Sequence, residues 1–428
     1  MKIGMISLGC DKNRVDSENM LYLLQSAGHT LVDDAKEAEI IIINTCAFID
    51  EAKKETINTV LEMSKLKEQN LQKLVVTGCF AQRYRSNVNF PEVDLFLDIA
   101  EEKDIVHHID TLIGTKANAE KTYAKGRVLT TPAHYAYLKI ADGCNNACSY
   151  CAIPSIRGKY ISTPIEELVS QAKDLLEQGV KELILVAQDT TNYGIDLYKE
   201  RKLLDLLKEL VKLDFWKIRI LYTYPELIDN ELLTFINKED KIAKYLDIPM
   251  QHIDDNILKK MNRRSSQSSL ITLVKNIREN FADISIRSTF IVGFPYESKS
   301  EYKNLEKFID GTFDYAGFFI YSPEEGTKAY GYGKRANSLT CKIRKNLLEK
   351  NSKQTTILRQ QKYINTICQV IYEGIDYERQ CFFGRTEYQA PQVDTKVYFT
   401  SDFPLDIGNI YNVYIEKADF NLYGKTVK

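Results

Sequence analysis

Residues 142–151 read DGCNNACSYC, and this stretch decides the fold. Cys144, Cys148 and Cys151 lie within eight residues and directly follow the strand pattern YLKIA. Three thiolates with this spacing can bind three corners of a cubane [4Fe–4S] cluster and leave the fourth iron open. A zinc site is the alternative, but zinc prefers four ligands, usually from pairs of short spacings, and no second CxxC or HxxxH lies nearby. We therefore predict an iron–sulfur cluster on these three cysteines.

The sequence around this stretch alternates strand patterns with helix-length segments. The strand patterns are YLKIADGC, ELILVAQD, KIRILYTYP, YLDIPMQ, ISIRSTFIVGFP and YAGFFIYSP. Six strands with intervening helices predict a parallel, partial (β/α)6 barrel over residues 132–337. In such barrels the active site lies at the carboxyl ends of the strands.

Residues 1–115 contain a second α/β series. The strand patterns KIGMISLGC, EIIIINTC and KLVVTGC end at Cys10, Cys46 and Cys79, and a helix pattern runs from Asp16 to Leu24. Carboxyl ends of parallel strands meet at one edge of a sheet, so the three cysteines should converge there. Each cysteine alone could be a buried structural residue. Three at equivalent positions predict a second [4Fe–4S] site.

The end of the chain changes character. Residues 338–363 are highly charged with apolar residues at helical spacing, which predicts a helical connector. Residues 364–428 carry the strand patterns CQVIYEGID, KVYFT and IYNVYIEKAD, which predict a small all-β barrel. Residues 114–131 are polar and predict a linker. The fold class is therefore α/β, with a parallel N-terminal domain, a central barrel and a C-terminal β-barrel.

Composition limits the function classes. The 428 residues carry a net charge of −2, so the chain lacks the basic excess of a protein that lives mainly on nucleic acid, although a local patch is not excluded. We find no apolar run of membrane-helix length and no signal-peptide pattern, and we expect a cytoplasmic protein with no membrane association. Nine cysteines in a reducing compartment favour metal ligands over disulfides.

The cysteine motifs resemble a known family. The segment DGCNNACSYC resembles the radical S-adenosylmethionine (radical SAM) superfamily. The motifs SLGC, IIINTC and VVTGC, followed by ADGCNNACSYCAIPSIRGKYIST and the β-rich end, resemble the methylthiotransferases within it. The resemblance covers nearly the whole chain. It implies an auxiliary-cluster domain, a radical SAM barrel and a TRAM domain, with two [4Fe–4S] clusters and S-adenosylmethionine (SAM) as cofactors.

The family converts C–H into C–S–CH3, and the resemblance implies two uses of SAM. One molecule methylates a sulfur held at the auxiliary cluster. The other binds the open iron of the radical SAM cluster and yields a 5′-deoxyadenosyl radical that activates the substrate carbon. A flavodoxin or ferredoxin is the implied electron donor.

The resemblance also implies positions that contact SAM. Tyr150 stands where the superfamily typically has an aromatic residue against adenine, although packing is the alternative. Gln188 and Asp189 stand where the superfamily often has Gly-Gly-Glu against the methionine amine, and the sequence AQDT departs from that pattern. Gly293, in STFIVGFP, is either a close approach to the nucleoside or a turn glycine.

Two features bear on the substrate. SLGCDKNRVDSE around Cys10 resembles the branch that modifies the β-carbon of an aspartate in ribosomal protein S12. The C-terminal module also has six basic and nine acidic residues, which suits a basic protein surface better than RNA. We therefore expect the S12 reaction. A tRNA adenosine methylthiotransferase is the alternative, and a non-catalytic iron–sulfur electron carrier is a third reading.

Other residues of interest carry weaker signals. Arg157 and Lys159 follow the cluster segment and either meet carboxylate or phosphate groups or lie in a solvated loop. We interpret Cys341, Cys368 and Cys381 as structural, because they share no spacing.

Overall fold

The structure, a computed structural model, describes residues 1–115 and 126–427, so the middle of the predicted linker lies outside the described residues. The chain packs as two compact units. The first comprises Met1–Thr130, Asp142–Ile161 and Ser322–Tyr330, and the second comprises Thr131–Ala141, Ser162–Tyr321 and Gly331–Lys428. Within the described ranges no helix is both long and apolar enough to cross a membrane.

The first unit is built on a five-stranded parallel sheet with the order β2-β1-β3-β4-β5. Its strands are β1 (Lys2–Ser7), β2 (Thr30–Leu31), β3 (Ile40–Thr45), β4 (Lys73–Gly78) and β5 (Leu95–Phe96). The three strands predicted from the sequence are the three central strands. The two that were not predicted have only two residues each, which is too short for a periodic signal.

The isoleucine run of β3 explains why this strand lies in the centre. Ile40 and Ile42 belong to the apolar core on one face of the sheet, and Ile41 and Ile43 belong to the core on the other face. Successive side chains of a strand point to opposite faces, so a strand covered on both sides must be apolar throughout. Their β-branched side chains also suit extended backbone.

The helices of the first unit follow the strands. They are α1 (Asp11–Ser26), α2 (Asp50–Ser64), α3 (Cys79–Tyr84), α4 (Ile105–Leu112) and α5 (Ile153–Arg157). Helix α1 begins five residues before the predicted start at Asp16. Its first turns bury polar side chains such as Asn13 and Ser17 instead of apolar ones, and apolar periodicity could not reveal them.

The described end of the predicted linker is packed. Arg127 is buried and pairs with the carboxylate of Glu18 on α1. The backbone amide of Thr130 donates to the same carboxylate at 2.8 Å. The linker interpretation is therefore wrong for residues 126–130, because a buried ion pair and its hydrogen bonds hold them against α1.

The second unit contains a six-stranded parallel sheet with the order β13-β12-β11-β10-β9-β6, so strands adjacent along the chain are neighbours. This confirms the predicted open, partial barrel and all six of its strands. The sheet strands are β6 (Tyr135–Lys139), β9 (Glu182–Val186), β10 (Lys217–Ile220), β11 (Ile242–Asp247), β12 (Ser285–Val292) and β13 (Tyr315–Ile320), and two short strands outside the sheet are β7 (Ala141–Asp142) and β8 (Ile161–Ser162).

Amphipathic helices cover this sheet. Their buried faces carry leucine and isoleucine at helical spacing, as in Leu203, Leu206, Leu207 and Leu210. The helices are α6 (Ile165–Glu177), α7 (Leu203–Leu210), α8 (Asn230–Lys238), α9 (Asp255–Lys260), α10 (Gln267–Asn280) and α11 (Lys299–Ile309).

The predicted connector is a long helix, α12 (Ser338–Gln360), and a closed five-stranded barrel follows it. The sequence predicted three of the five strands. The other two contain glycine and charged residues in the segments CFFGR and LYGKT, which weakens a strand pattern. The barrel strands are β14 (Ile367–Asp376), β15 (Cys381–Arg385), β16 (Val397–Thr400), β17 (Ile410–Ala418) and β18 (Leu422–Thr426).

A buried ion network joins this barrel to the six-stranded sheet within the second unit. Glu182 opens β9 and has a fully buried side chain. One carboxylate oxygen lies 2.7 Å from Nη2 of Arg219 on β10, and the other lies 2.7 Å from Nη2 of Arg385 on β15. Arg385 in turn bonds Glu373 at 2.7 Å. The C-terminal barrel is therefore held at the amino ends of the sheet strands.

Replacing Glu182 by glutamine should lower the free energy of unfolding by about 3–5 kcal/mol at pH 7, because it leaves buried arginines without their countercharge. Denaturant titration of the full chain measures this. Glu209→Gln is the matched control, since the Glu209 side chain is 44% exposed and forms a salt bridge with exposed Lys212, and it should change stability by less than about 0.5 kcal/mol.

The same effect should depend on pH. Burial would raise the pKa of Glu182, but the charges of Arg219 and Arg385 outweigh it and hold that pKa below its ordinary value. Such a carboxylate adds stability above its unfolded pKa of about 4.3, and the contribution is lost as pH falls through the lower folded-state pKa. The difference between wild type and Glu182→Gln should therefore be full at pH 7 and shrink below about pH 4. A difference that stayed constant into acid would contradict this account.

Candidate iron–sulfur centres

The first three predicted ligands follow strand ends that lie in register. Ser7 on β1 is paired with Asn44 on β3, and Asn44 is paired with Thr77 on β4. Cys10, Cys46 and Cys79 come two or three residues after these positions. The parallel register therefore brings three thiols to one edge of one sheet.

Two glycines directly precede cysteines of this triad and allow the backbone to turn there. Gly9 has a φ of +89° and Gly78 a φ of +85°, a left-handed region that favours glycine. A Cβ on Gly9 would lie 2.7 Å from Cβ of Cys46, and one on Gly78 would lie 2.2 Å from Oδ1 of Asn44. The Gly-Cys pairs of SLGC and VTGC thus let the strand ends approach closely.

The side chain of Asn13 lies among the thiols. Its Oδ1 is 4.0 Å from Sγ of Cys10 and 3.8 Å from Sγ of Cys79. Its Nδ2 donates to the carbonyl oxygen of Thr45 at 2.8 Å and to that of Leu8 at 3.2 Å. The residue is fully buried and binds the ends of two strands, so it fixes the positions of the cysteines that follow them.

Burial affects the thiols directly. It raises the pKa of Cys46, and it raises the pKa of Cys79 to about 12, although the charge of Arg157 opposes the second shift. Cysteine must be a thiolate to ligate a metal, so a bound metal would supply the stabilisation of the thiolate that burial opposes.

Arg157 connects this edge to the segment that carries the other triad. Its Nη1 lies 2.8 Å from Oδ2 of Asp16 and 2.8 Å from Oδ2 of Asp142, and Nη2 donates to Oδ1 of Asn13. Its side chain is only 2% exposed. Burial alone would lower its pKa, but the two carboxylates hold the pKa well above its ordinary value, so the group is charged. The sequence left open whether Arg157 meets carboxylate or phosphate groups or lies in a solvated loop. The structure shows contact with carboxylates, and these belong to the chain itself.

The second triad lies in the loop between β7 and α5. Gly143 has a φ of +72°, and a Cβ there would lie 2.1 Å from the carbonyl oxygen of Lys159. The amide of Cys144 donates to Gly158 at 3.2 Å, and the amide of Cys151 donates to Cys148 at 3.1 Å. Half-buried Tyr150 lies in the same loop. All six predicted cysteine ligands belong to the first compact unit.

The donor chemistry fits two cubane clusters. None of the nine cysteines, all of which lie among the described residues, forms a disulfide. In a cubane each cysteine binds a different iron, and three cysteines leave one iron open. Residues 1–115 and 126–427 hold no group of three His, Cys, Asp or Glu side chains placed to bind a single metal ion.

A segment after β13 packs against both cysteine loops within the first unit. Glu324 is buried and lies 2.9 Å from Nη1 of Arg83 and 3.1 Å from Nζ of Lys53. Arg83 also donates to the carbonyl oxygen of Ala47, next to Cys46. Farther along the segment, the amide of Ala329 donates to the carbonyl oxygen of Ser149 at 2.7 Å.

The remaining predicted SAM contacts lie in the second unit. Gln188 and Asp189 follow β9 at the carboxyl edge of the six-stranded sheet. Asp189 is buried, and its Oδ1 accepts a hydrogen bond from the Thr191 hydroxyl at 2.7 Å. The position suits a ligand contact, and the role of both residues stays a prediction.

Gly293 follows β12 and has a φ of +73°. A Cβ there would lie 2.3 Å from Sγ of Cys341 on α12, and its amide donates to Oε2 of Glu297 at 3.0 Å. Packing against the connector helix therefore requires glycine here, whatever its role toward a nucleoside. It also gives buried Cys341 a packing function.

Sequence reasoning missed several residues at these edges. Asn13 follows Cys10 by three residues in SLGCDKN, and only its place in the first turn of α1 could have indicated its role. Tyr222 and Gln251, after β10 and β11, have φ values of 59° and 70°, which is strained for residues with side chains. Such strain clusters at functional sites, but no sequence pattern marks it.

Three ranges of the chain match known protein families. Residues 2–98 match the uncharacterized protein family UPF0004, residues 138–309 match the radical SAM superfamily, and residues 364–427 match the TRAM domain.

Curated relatives match the chain from end to end. The ribosomal protein uS12 methylthiotransferase RimO of Alkaliphilus oremlandii is 42% identical over 99% of both chains. The chain belongs to the RimO family of methylthiotransferases. The RimO proteins of Acetivibrio thermocellus and a Thermoanaerobacter species are each 41% identical over at least 98% of their length. Membership confirms the predicted enzyme class and its cofactors, SAM and [4Fe–4S] clusters.

Solved structures support the fold alone. The radical SAM methyltransferase TsrM from Kitasatospora setae, with cobalamin and a [4Fe–4S] cluster bound, has a TM-score of 0.56 at 14% identity over 75% of this chain and 76% of that one. The cobalamin-dependent radical SAM enzyme OxsB has a TM-score of 0.52 at 12% identity, covering 82% of this chain and 56% of that one.

The ligand assignment can be tested by iron content. The reconstituted wild-type chain should hold about eight irons, and a Cys10→Ala/Cys46→Ala/Cys79→Ala chain about four, because each cubane contains four. The matched control is Cys341→Ala/Cys368→Ala/Cys381→Ala, which should keep about eight. Equal loss in both triple variants would contradict the assignment. Iron and sulfide analysis with Mössbauer spectra provides the measurement.

Proposed function

We propose that this chain transfers a methylthio group to the β-carbon of an aspartate in ribosomal protein S12. The observation that carries the proposal is the end-to-end match to curated uS12 methylthiotransferases at about 40% identity. The two cysteine triads within one compact unit support it, because the reaction needs both a radical source and a sulfur carrier.

The proposal gives each predicted site residue a role. Cys144, Cys148 and Cys151 would hold the radical SAM cluster, which would supply one electron to SAM, so that a C–S bond breaks to give methionine and a 5′-deoxyadenosyl radical. Tyr150, and in the second unit Gln188, Asp189 and Gly293, would contact SAM.

The auxiliary centre has a separate role. Cys10, Cys46 and Cys79 would hold the auxiliary cluster. Asn13 holds the strand ends from which the thiols project, so it orients this donor set.

The wider context is part of the same proposal. A flavodoxin or ferredoxin would provide the electron, and the enzyme would act in the cytoplasm, where ribosomal proteins are found. We also propose a four-part division into residues 1–115, 132–337, 338–363 and 364–428. The ranges of the three family matches, which fall within the first, second and fourth parts, support it.

The charge of the C-terminal barrel favours a basic partner. The charge available to a partner is smaller than the total charge of the module. Four of its charged residues face the six-stranded sheet or the network beside it; they are Glu373, Arg385, Glu387 and Asp394. The rest of the described barrel still carries more acidic than basic residues, with six of the former and four of the latter. Such a surface attracts a cationic protein and repels a phosphate backbone.

The reaction can be tested with purified components. The reconstituted enzyme with SAM and a reductant should raise the mass of S12 by about 46 Da, the replacement of H by SCH3. Mass spectrometry of S12 and of tRNA from a deletion strain gives the matching observation. Loss of methylthio from tRNA with S12 unaffected would identify a tRNA enzyme, and absence of SAM cleavage would identify an electron carrier.

The surface charges can be tested separately. Neutralising exposed Glu378, Asp402 and Asp406 together should raise the KM for S12 roughly threefold to tenfold at low salt, at a few tenths of a kcal/mol for each charge. The effect should fade as ionic strength rises. SAM cleavage without S12 should not change. Neutralising exposed Glu51, Glu62 and Glu68 in the first unit is the matched control, and an equal rise in KM there would contradict a role for the barrel.

A further inference from the structure

One guanidinium group is shared by the loops of both cysteine triads. Arg157 lies six residues after Cys151 and bonds Asp142, two residues before Cys144. The same group bonds Asp16 on α1 and Oδ1 of Asn13, the atom that lies 3.8–4.0 Å from two thiols of the auxiliary triad. The positive charge therefore lies close to those sulfurs, and the amide oxygen of Asn13 is a contact that the guanidinium and both thiols share.

The charge acts in a poorly screened setting. The Arg157 side chain is 2% exposed and that of Asp16 is 7% exposed. Solvent and salt screen buried charges much less than exposed ones. Removing Arg157 would therefore take one weakly screened positive charge away from the neighbourhood of the Cys10 and Cys79 thiols.

We propose that Arg157 is a positioning residue whose charge raises the reduction potential of the auxiliary cluster. The proposal rests on the ligand assignment for Cys10, Cys46 and Cys79 made above. Net charge and hydrogen bonding near the sulfurs set the potential of an iron–sulfur cluster. One-electron reduction adds one negative charge and changes no bond, so a nearby buried cation favours the reduced form over the oxidised form.

Substitutions that change the charge in opposite directions at Arg157 and Asp16 distinguish an electrostatic role of Arg157 from a purely structural one. Arg157→Gln removes a positive charge and should lower the potential. Arg157→Lys keeps the charge but loses the planar fork, so it should lower the potential less. Asp16→Asn removes a negative charge while keeping a hydrogen-bonding side chain, and it should raise the potential. A purely structural role predicts no such reversal of sign.

The experiment uses the full chain with Cys144, Cys148 and Cys151 replaced by alanine, so that only the auxiliary cluster is read. Dithionite is the reductant, and electron paramagnetic resonance follows a potentiometric titration. At a fixed potential Arg157→Gln should lower the ratio of reduced to oxidised cluster about tenfold, equivalent to about 59 mV for one electron. Arg127→Gln is the matched control. It breaks the buried ion pair with Glu18, which lies on α1 like Asp16, and it should change that ratio less than about threefold.

The outcomes are distinct. The proposal would be overturned if Arg157→Gln changed the ratio of reduced to oxidised cluster by less than about threefold. It would also be overturned if Arg157→Gln and Asp16→Asn shifted the reduction potential in the same direction. If Arg157→Gln fails to hold its cluster, Asp16→Asn decides: a raised potential supports the proposal, and an unchanged or lowered one overturns it. A background chain without about four irons would refute the ligand assignment instead.

Discussion

The parallel register of β1, β3 and β4 is the constraint on which the auxiliary site depends. Ser7, Asn44 and Thr77 lie side by side across three neighbouring strands, so the residues that follow them emerge at one edge. A slip of one residue in any strand would turn its side chains to the other face of the sheet. The isoleucine run of β3 fills both apolar cores but would do so equally after such a slip. The register is fixed where the run ends, because buried Asn44 donates to the carbonyl oxygen of Asn13 at 2.9 Å and to the hydroxyl of Ser17 at 3.0 Å. These polar contacts next to the cysteines thus help to determine where the thiols lie.

The same edge shows how polar groups are buried without loss of stability. Asn13 and Arg157 are both buried, and each makes several hydrogen bonds, so the cost of removing them from water is offset. Their partners are strand-end carbonyls and carboxylates of the chain. This arrangement places a fixed positive charge near the sulfur atoms that we propose as metal ligands. The same two side chains, Asn13 and Arg157, therefore determine both the geometry and the electrostatics at this edge.

The sequence predicts those features that rest on spacing. CxxxCxxC, the Gly-Cys strand ends and the six apolar strands each have a local pattern, and the family match confirms the fold and the cofactors they indicated. The role of Arg157 has no such pattern, because its partners Asp16 and Asn13 lie more than 140 residues away along the chain. The strained backbone of Tyr222 and Gln251 depends on neighbouring loops and is equally invisible to periodicity. Contacts between segments that are distant in sequence could therefore be found only in the three-dimensional structure.

The ion network around Glu182 places the C-terminal barrel at the amino ends of the six strands, whereas Gln188, Asp189 and Gly293 lie at the carboxyl ends. Strand β9 has five residues and β12 has eight, so the two edges are about 16–26 Å apart at about 3.3 Å per residue. Under the proposed function, a partner held by the barrel surface would therefore contact the amino ends of the strands, and its contact with Gln188, Asp189 or Gly293 would need a segment that reaches along the length of the sheet. Charge on the barrel would then change how a partner associates without altering the residues at the opposite edge.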